Sequence, residues 1–140
     1  KAASGFFSNI IREPLNGEEA VLPVAESLRH WFASPRAAVR FLLHAATLPG
    51  ETVGPRRTIS LPGLSATVGE EIAALEKIAG RNVVSRIRRE PDPAIANIVN
   101  GWPTAFDAKR AHELGFTAEK NFEEIIHRHI EDELGGTFVK

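Results

Sequence analysis

The stretch LRHWFASPRAAV, at residues 28–39, decides how this chain folds. It begins as a short strand that carries Arg29, and it turns directly into a helix. The side chain of Ser34 can accept a hydrogen bond from the first helical turn, and Pro35 has its φ angle preset for the first helical position. We therefore predict that strand, cap and helix follow one another without a loop.

Arg29 is the first candidate for a binding role. A guanidinium presents five donors in a rigid fork, and two of them match a carboxylate or phosphate. The alternative is an arginine in an ordinary surface ion pair, which contributes only about 0–1 kcal/mol. Loss of one partner from a desolvated pair costs roughly 2–5 kcal/mol, so binding data for Arg29→Ala separate the two interpretations.

Composition limits the class of protein. The 140 residues suit one domain, and the net charge of −1 provides no positive field for nucleic acid or an acidic membrane surface. Cysteine is absent, which excludes disulfides and Cys-bound zinc and agrees with a reducing, cytoplasmic location. The most apolar run, at residues 41–46, is far shorter than the ~20 residues of a membrane span.

Two further absences bear on chemistry. The chain has no methionine, so we expect Lys1 to follow a cut in a longer protein. It also has no tyrosine, and no glycine-rich turn of the dinucleotide-binding type lies between a strand and a helix. We therefore predict that this segment contains neither a phenol proton donor nor a cofactor turn, and that it has no catalytic residue of its own.

Hydrophobic periodicity predicts a small α+β unit that docks on another domain. We assign residues 1–134 to this domain and residues 135–140 to a flexible tail. Thr67 and Glu70 form a capping box, and Asp92 and Asn121 are candidate caps. The predicted helices are 4–12, 35–48, 67–80, 94–99, 108–114 and 121–134, and the predicted strands are 20–24, 28–32, 57–61 and 82–89.

Two of these elements carry predictions about side-chain direction. The helix after Pro35 is expected to turn its aliphatic stripe inward, through Val39, Leu42, Leu43 and Ala46. In the strand at residues 82–89, Arg89 has the same parity as Val83 and Ile87, so it should point inward with them. Residues 49–55 are expected to form an exposed loop.

The order of motifs resembles that of extended short-chain dehydrogenases of the NAD-dependent epimerase/dehydratase family. Late in the chain these proteins have an Arg-x-aromatic run before a helix, which matches Arg29 to Phe32. A second family motif matches Arg88-Arg89-Glu90-Pro91-Asp92, and it is followed by the runs at 106–111 and 114–116. The resemblance covers residues 1–134, and it depends on the co-occurrence of the motifs. Arg36 departs from it, because the family commonly has aspartate there.

The resemblance implies where a substrate binds. In this family two arginines hold the acidic part of the substrate, which points to Arg29 and to either Arg88 or Arg89. The glycine turn that nucleotide-sugar enzymes place before the first arginine is missing from residues 21–27. The resemblance therefore implies the branch that oxidises small 2-hydroxy sugar acids.

Other residues have a functional and a structural interpretation. Trp31 shares parity with Arg29 and could wall the same pocket, or it could be a core aromatic. Trp102 is interpreted as a loop anchor rather than a lid contact. The resemblance places Lys1, Ala2, Ala3 and Ser4 where the family's chain first crosses the substrate pocket, which makes Ser4 a hydrogen-bonding candidate. No metal site is predicted, because His127 and Glu131 share a helix face whereas His129 lies about 200° away from His127.

The resemblance implies that the chain is the substrate-binding part of an NAD-dependent oxidoreductase. NAD would be bound mainly by an N-terminal Rossmann domain of the same chain. A nucleoside-diphosphate-sugar epimerase or dehydratase is the alternative enzyme, and a non-catalytic interaction module is the alternative of another class. The predicted partners are a small anionic sugar and that domain, without nucleic acid or membrane. A homodimer is compatible with the family, in which helices of the other domain usually form the interface.

Overall fold

The computed structural model describes residues 3–140. Within them the chain forms eight helices and four short strands. In chain order these are α1 (Gly5–Leu15), β1 (Ala20–Leu22), β2 (Arg29–Phe32), α2 (Pro35–Thr47), α3 (Gly50–Val53), β3 (Leu64–Thr67), α4 (Val68–Ala79), α5 (Arg81–Val84), β4 (Ile87–Arg89), α6 (Pro93–Val99), α7 (Lys109–Glu113) and α8 (Phe122–Glu133).

The strands form two separate pairs among the described residues. β1 and β4 are parallel, with Ala20 opposite Ile87 and Leu22 opposite Arg89. β2 and β3 are antiparallel, with Arg29 opposite Thr67. The prediction of a helical α+β unit with few short strands is confirmed.

The main core lies between α1, α4 and α8. Ile10 of α1, Leu75 of α4 and Ile126 of α8 are fully buried in it, together with Leu22 of β1. A smaller cluster lies under α2, where Ala37 and Phe41 meet Ala108, Ala111 and Phe116. α2 is thus attached to the domain through a narrow strip of its surface.

The predicted orientation of α2 is wrong. Its aliphatic stripe faces solvent, and Leu42 and Leu43 are 73% and 64% exposed. Ala37 and Phe41, four residues apart on another side of the helix, are buried instead. The helix has two apolar sides, and only the smaller one finds a partner within residues 3–140.

The predicted strand at residues 57–61 is also wrong, because no neighbouring strand pairs with it in the described chain. The segment is extended and irregular, with Ile59 and Leu61 half-buried against the smaller cluster. Arg110 fixes it by donating hydrogen bonds to the carbonyl oxygens of Val53, Arg56 and Thr58 at 2.6–2.8 Å. The preceding loop contains the short helix α3, which was not predicted.

The predicted strand at residues 82–89 is only half correct. Residues 81–84 form the helical turn α5, and the strand β4 is limited to Ile87–Arg89. Val83 and Ile87 are buried as expected, but the side chain of Arg89 is 53% exposed. The turn breaks the alternation on which the inward direction of Arg89 depended.

Local capping signals were predicted well. Thr67 and Glu70 form a complete capping box at the start of α4, and the Asp92 side chain caps α6. The Asn121 side chain accepts from the Glu124 N–H and so caps α8, while the Glu124 carboxylate accepts from the Lys120 N–H. α1 continues through Pro14 to Leu15, beyond the predicted end.

The C-terminal segment packs against α1 and the turn that precedes β4. The Val139 N–H donates to the Leu15 carbonyl oxygen at 2.9 Å. Arg86 donates to the carbonyl oxygens of Pro14, Val139 and Lys140 at 2.9–3.2 Å. The flexibility of residues 135–140 stays a prediction, although these contacts give the tail a defined position.

Candidate anion site

Arg29 opens β2 on the solvent side of the β2–β3 pair. The strand alternates, so Arg29 and Trp31 point outward while His30 and Phe32 pack toward the core. One Nη donates to the Ser65 carbonyl oxygen at 2.9 Å, and the other lies 3.3 Å from the Glu70 carboxylate. The Arg29 side chain is 41% exposed, so it remains accessible to a ligand.

Arg89 ends β4 and is also paired with a carboxylate. Its Nε and Nη2 lie 2.7 and 2.6 Å from Oε1 of Glu26. Glu26 belongs to the connection between β1 and β2, 63 residues earlier in the chain. Because β4 pairs with β1 and β2 pairs with β3, the two arginines lie on different sheets and not on neighbouring strands.

Both ion pairs are tied to the first turn of α4. Glu70 belongs to that turn, and the carbonyl oxygen of Glu26 accepts a hydrogen bond from the Gly69 N–H at 2.8 Å. A Cβ at Gly69 would approach the Glu26 carbonyl oxygen to 3.3 Å, which shows how closely the β1–β2 connection passes the helix. The start of α4 therefore links the surroundings of Arg29 and Arg89.

The hydrogen bond from the Thr67 N–H is the main cause that holds the pKa of Glu70 below its usual range, and Arg29 adds to it. The carboxylate is therefore charged at neutral pH. Its position at the N-terminus of α4 also favours negative charge, because the helix dipole is positive there.

Arg88 lies on the opposite side of β4 from Arg89, as alternation requires. It is exposed, and its Nε lies 3.1 Å from Oε1 of Glu90. The structure connects Arg29 and Arg89 through α4, whereas Arg88 pairs with Glu90 and has no link to α4 within residues 3–140. A role of Arg88 in binding stays a prediction.

A cavity of about 360 Å³ adjoins Arg29. It is lined by Leu28, Val99, Trp102 and Thr104 among others. Trp31 shares the outward face of β2 with Arg29 as predicted, but it packs edge-on against Phe106 and over Gly63. The tryptophan beside the cavity is Trp102, whose ring also contacts His30. Its position at the Arg29 cavity had not been predicted.

Ser4 is the N-cap residue of α1, and its side chain makes no capping hydrogen bond. Its neighbours Ala3 and Gly5 line a cavity of about 790 Å³, together with Pro23 and Asp92. Lys1 and Ala2, which the resemblance also places near a substrate, lie outside the described residues. A hydrogen bond from Ser4 to substrate stays a prediction.

Glu71 is a buried carboxyl group that sequence analysis did not single out. It lines a mainly apolar cavity of about 390 Å³ between α1, α4 and α8, and its Oε2 has no partner within the described protein. Burial raises the pKa of Glu71 well above its ordinary value. His129 faces the same cavity, and burial lowers its pKa. Burial therefore favours the uncharged form of both groups.

Two curated proteins named D-erythronate dehydrogenase match almost the whole chain. The protein from Cupriavidus necator is 47% identical over 131 residues, which are 94% of this chain and 40% of that protein. The protein from Haemophilus influenzae is 42% identical over 134 residues, which are 96% of this chain and 42% of that protein. The chain is homologous to part of these dehydrogenases. It spans about two fifths of the length of these curated relatives.

Solved structures agree with the D-erythronate dehydrogenase relatives on the extent of the match. The nucleoside-diphosphate-sugar epimerase from Agrobacterium tumefaciens has a TM-score of 0.95 and 67% identity, over 97% of this chain and 40% of that chain. L-Threonine 3-dehydrogenase from Trypanosoma brucei has a TM-score of 0.79 at 18% identity, over 99% and 43%, and this likeness shows the fold alone. No family model matches the chain.

Over residues 3–140, no helix is both long enough and apolar enough to cross a bilayer. His127 is exposed on α8 while His129 is half-buried, so the two imidazoles lie in different surroundings. Among the same residues, no group of three or more His, Asp or Glu side chains is arranged to hold a metal ion.

Proposed function

We propose that this chain is the C-terminal, substrate-binding part of a longer NAD-dependent dehydrogenase that oxidises D-erythronate. The observation that carries the proposal is the match of 94–96% of the chain to two proteins of that name, of which it spans only 40–42%. The remaining length of such relatives leaves room for a nucleotide-binding domain before this one.

The exposed side of α2 supports a second domain in the same chain. Leu42 and Leu43 form a solvent-facing aliphatic surface, and folded domains rarely leave such a surface uncovered. The extended segment 57–61 lies nearby in sequence and lacks a partner strand within the described residues. Both features are explained if an N-terminal Rossmann domain lies against α2 and pairs with this segment.

The residues present do not form a dinucleotide site by themselves. Within residues 3–140 a strand leads into a helix at Ser34-Pro35, at Thr67-Val68 and through residues 90–92. None of these connections has the set of glycines that brings backbone N–H groups close to a pyrophosphate. We therefore assign NAD, which would accept a hydride from the substrate, mainly to the N-terminal domain. The lack of tyrosine assigns the proton relay to that domain as well.

In this proposal the described residues bind and orient the acid. Arg29 offers its remaining guanidinium N–H donors to the substrate carboxylate, beside the cavity lined by Trp102. Arg89 acts with it from the other side of the start of α4. Trp31, Ser4 and Arg88 remain secondary candidates. We place the protein in the cytoplasm because it contains no cysteine that an oxidising compartment could use.

The test uses the complete protein from which this chain comes. We expect it to reduce NAD with D-erythronate, and we expect Arg29→Ala to raise KM by about tenfold or more. Arg81→Ala is the matched control, because Arg81 is 92% exposed at the start of α5, beyond the C-terminal end of α4. Oxidation that is insensitive to Arg29→Ala would contradict the binding role.

A nucleoside-diphosphate-sugar epimerase is the second candidate. The specific observation in its favour is the 67% identity to the solved protein of that description. Parallel assays with a UDP-sugar separate the two candidates. Turnover of the UDP-sugar without oxidation of D-erythronate would establish the second candidate and contradict the first.

A further inference from the structure

The charge beside Arg29 is fixed by the fold. Oε2 of Glu70 accepts the Thr67 N–H at 2.6 Å as part of the capping box, and the same oxygen lies 3.3 Å from Nη2 of Arg29. A carboxylate that caps a helix does not follow the arginine when a ligand arrives. Arg29 therefore keeps a negative neighbour whether or not the site is filled.

The charge beside Arg89 is held in a comparable way. Glu26 uses one oxygen to engage both Nε and Nη2 of Arg89, at 2.7 and 2.6 Å. The Glu26 carbonyl oxygen accepts a hydrogen bond from the Gly69 N–H of α4. Two residues later in the same connection, the Leu28 carbonyl oxygen accepts one from the Val68 N–H. The bidentate face of Arg89 is thus already occupied by a carboxylate on an anchored segment.

Each guanidinium in the candidate site is therefore matched by one carboxylate. The formal charges of Arg29 and Arg89 are cancelled by those of Glu70 and Glu26. An anion with one charge can use the remaining donors of Arg29 with little repulsion. A diphosphate brings more negative charge close to two fixed carboxylates, and unless it displaces Glu26 it can reach Arg89 only through the Nη1–Nη2 edge.

We propose that Glu26 and Glu70 determine substrate charge at this site, and that they make it select a singly charged sugar acid over a diphosphate. The inference rests on the proposed function, because it takes Arg29 and Arg89 as the groups that hold the substrate.

The experiment compares two ligands of different charge on the complete protein. Inorganic pyrophosphate and D-erythronate are titrated by calorimetry into the wild type, Glu26→Gln, Glu70→Gln and the double variant. Glutamine keeps the size of each side chain, and at position 70 it can also complete a capping box. Glu76→Gln is the control, since Glu76 lies on the same helix as Glu70 but pairs with the exposed Arg81 of α5.

We expect each site substitution to tighten pyrophosphate binding by about two- to fivefold, with a larger gain in the double variant. D-Erythronate binding should change less than pyrophosphate binding, and the control should match the wild type. The gain should shrink at high salt, because exposed charges are screened. An unchanged pyrophosphate affinity in the double variant, or an equal gain for both ligands, would overturn the inference.

Arg29→Ala distinguishes this failure from a failure of the proposed function. If Arg29→Ala weakens D-erythronate binding while the glutamine variants behave as the wild type, the site stands and the role of Glu26 and Glu70 is wrong. If Arg29→Ala leaves the binding of both ligands unchanged, Arg29 does not hold the substrate, and both its proposed binding role and the inference built on it are wrong.

Discussion

The hydroxyl of Ser34 donates a 2.5 Å hydrogen bond to Oε1 of Glu119, 85 residues later in the chain, and both residues are buried. The same hydroxyl accepts from the Ala37 N–H and so caps α2, while the Ser34 N–H donates to Oε2 of Glu119. One side chain thereby joins the start of α2 to the connection before α8.

Ser34→Ala should lower the free energy of unfolding by about 1–3 kcal/mol. The variant loses the helix cap and leaves the buried Glu119 carboxylate with one donor fewer. Urea unfolding of the 140-residue chain measures the change. Ser60→Ala is the control, because Ser60 is exposed in the irregular segment before β3. Equal stability of the two variants would contradict the role of Ser34.

Leu42→Gln should leave the stability of the isolated chain within about 0.5 kcal/mol of the wild type. Leu42 is exposed, so its removal from the surface of α2 breaks no packing in this chain. Phe41→Ala, one position away on the buried side, should cost about 3–5 kcal/mol. In the complete protein we expect Leu42→Gln to weaken the contact between domains, which limited proteolysis can detect. A large loss of stability in the isolated chain would show that α2 packs differently.

Glu71 should make stability decrease as the pH rises. Burial raises the pKa of Glu71 in the folded chain above its ordinary value of 4.5. Between these two pKa values the folded state keeps a proton that the unfolded state has lost, so the free energy of unfolding falls, by at most about 1.4 kcal/mol per pH unit.

Glu71→Gln removes this contribution, so the variant should gain on the wild type as the pH increases above 4.5. Urea unfolding at several pH values measures the difference between the two proteins. Glu51→Gln, at an exposed position of α3, should run parallel to the wild type. A Glu71→Gln variant that also runs parallel would show that the carboxyl group is not desolvated.

Arg36→Lys should destabilise the chain at low salt, with a smaller effect at about 1 M salt, where the screening length is about 3 Å. Arg36 makes two hydrogen bonds to the Asp132 carboxylate and lies 3.0 Å from Glu131, which joins α2 to α8. Lysine cannot reproduce the planar fork. Arg81→Lys, at an exposed pair, should be nearly neutral at both salt concentrations. Equal effects of the two substitutions would contradict a special role for Arg36.

Features that depend on neighbouring residues were predictable from sequence. The capping box of Thr67 and Glu70 was correct, as were the helix start at Pro35 and the Asp92 cap of α6, because their signals lie within four residues. Residues 82–84 do not adopt the structure that their local pattern favours. Two adjacent valines favour a strand, but the chain forms a helical turn after Gly80, so tertiary structure outweighs local propensity there.

Features that depend on distant partners were not predictable. A strand at residues 57–61 requires a neighbouring strand that the described chain does not provide. The pattern of α2 has two apolar sides, and the sequence does not show which of them packs against residues 3–140. Arg36 had no explanation from sequence, because Asp132 lies 96 residues away. Arg29 and Arg89 were singled out by their motifs, but nothing in the sequence near them indicates Glu70 and Glu26 as their partners.

The double duty of Glu70 has a practical consequence for anyone who wishes to redesign the ligand preference of this domain. Glu70 completes the capping box of α4 and also pairs with Arg29. Most replacements would therefore remove the cap, destabilise the first turn of α4 and obscure any gain in ligand affinity. The Glu26 side chain pairs with Arg89 and takes no part in the cap of α4. A library that aims at more highly charged ligands should start at Glu26 and admit only glutamine at position 70.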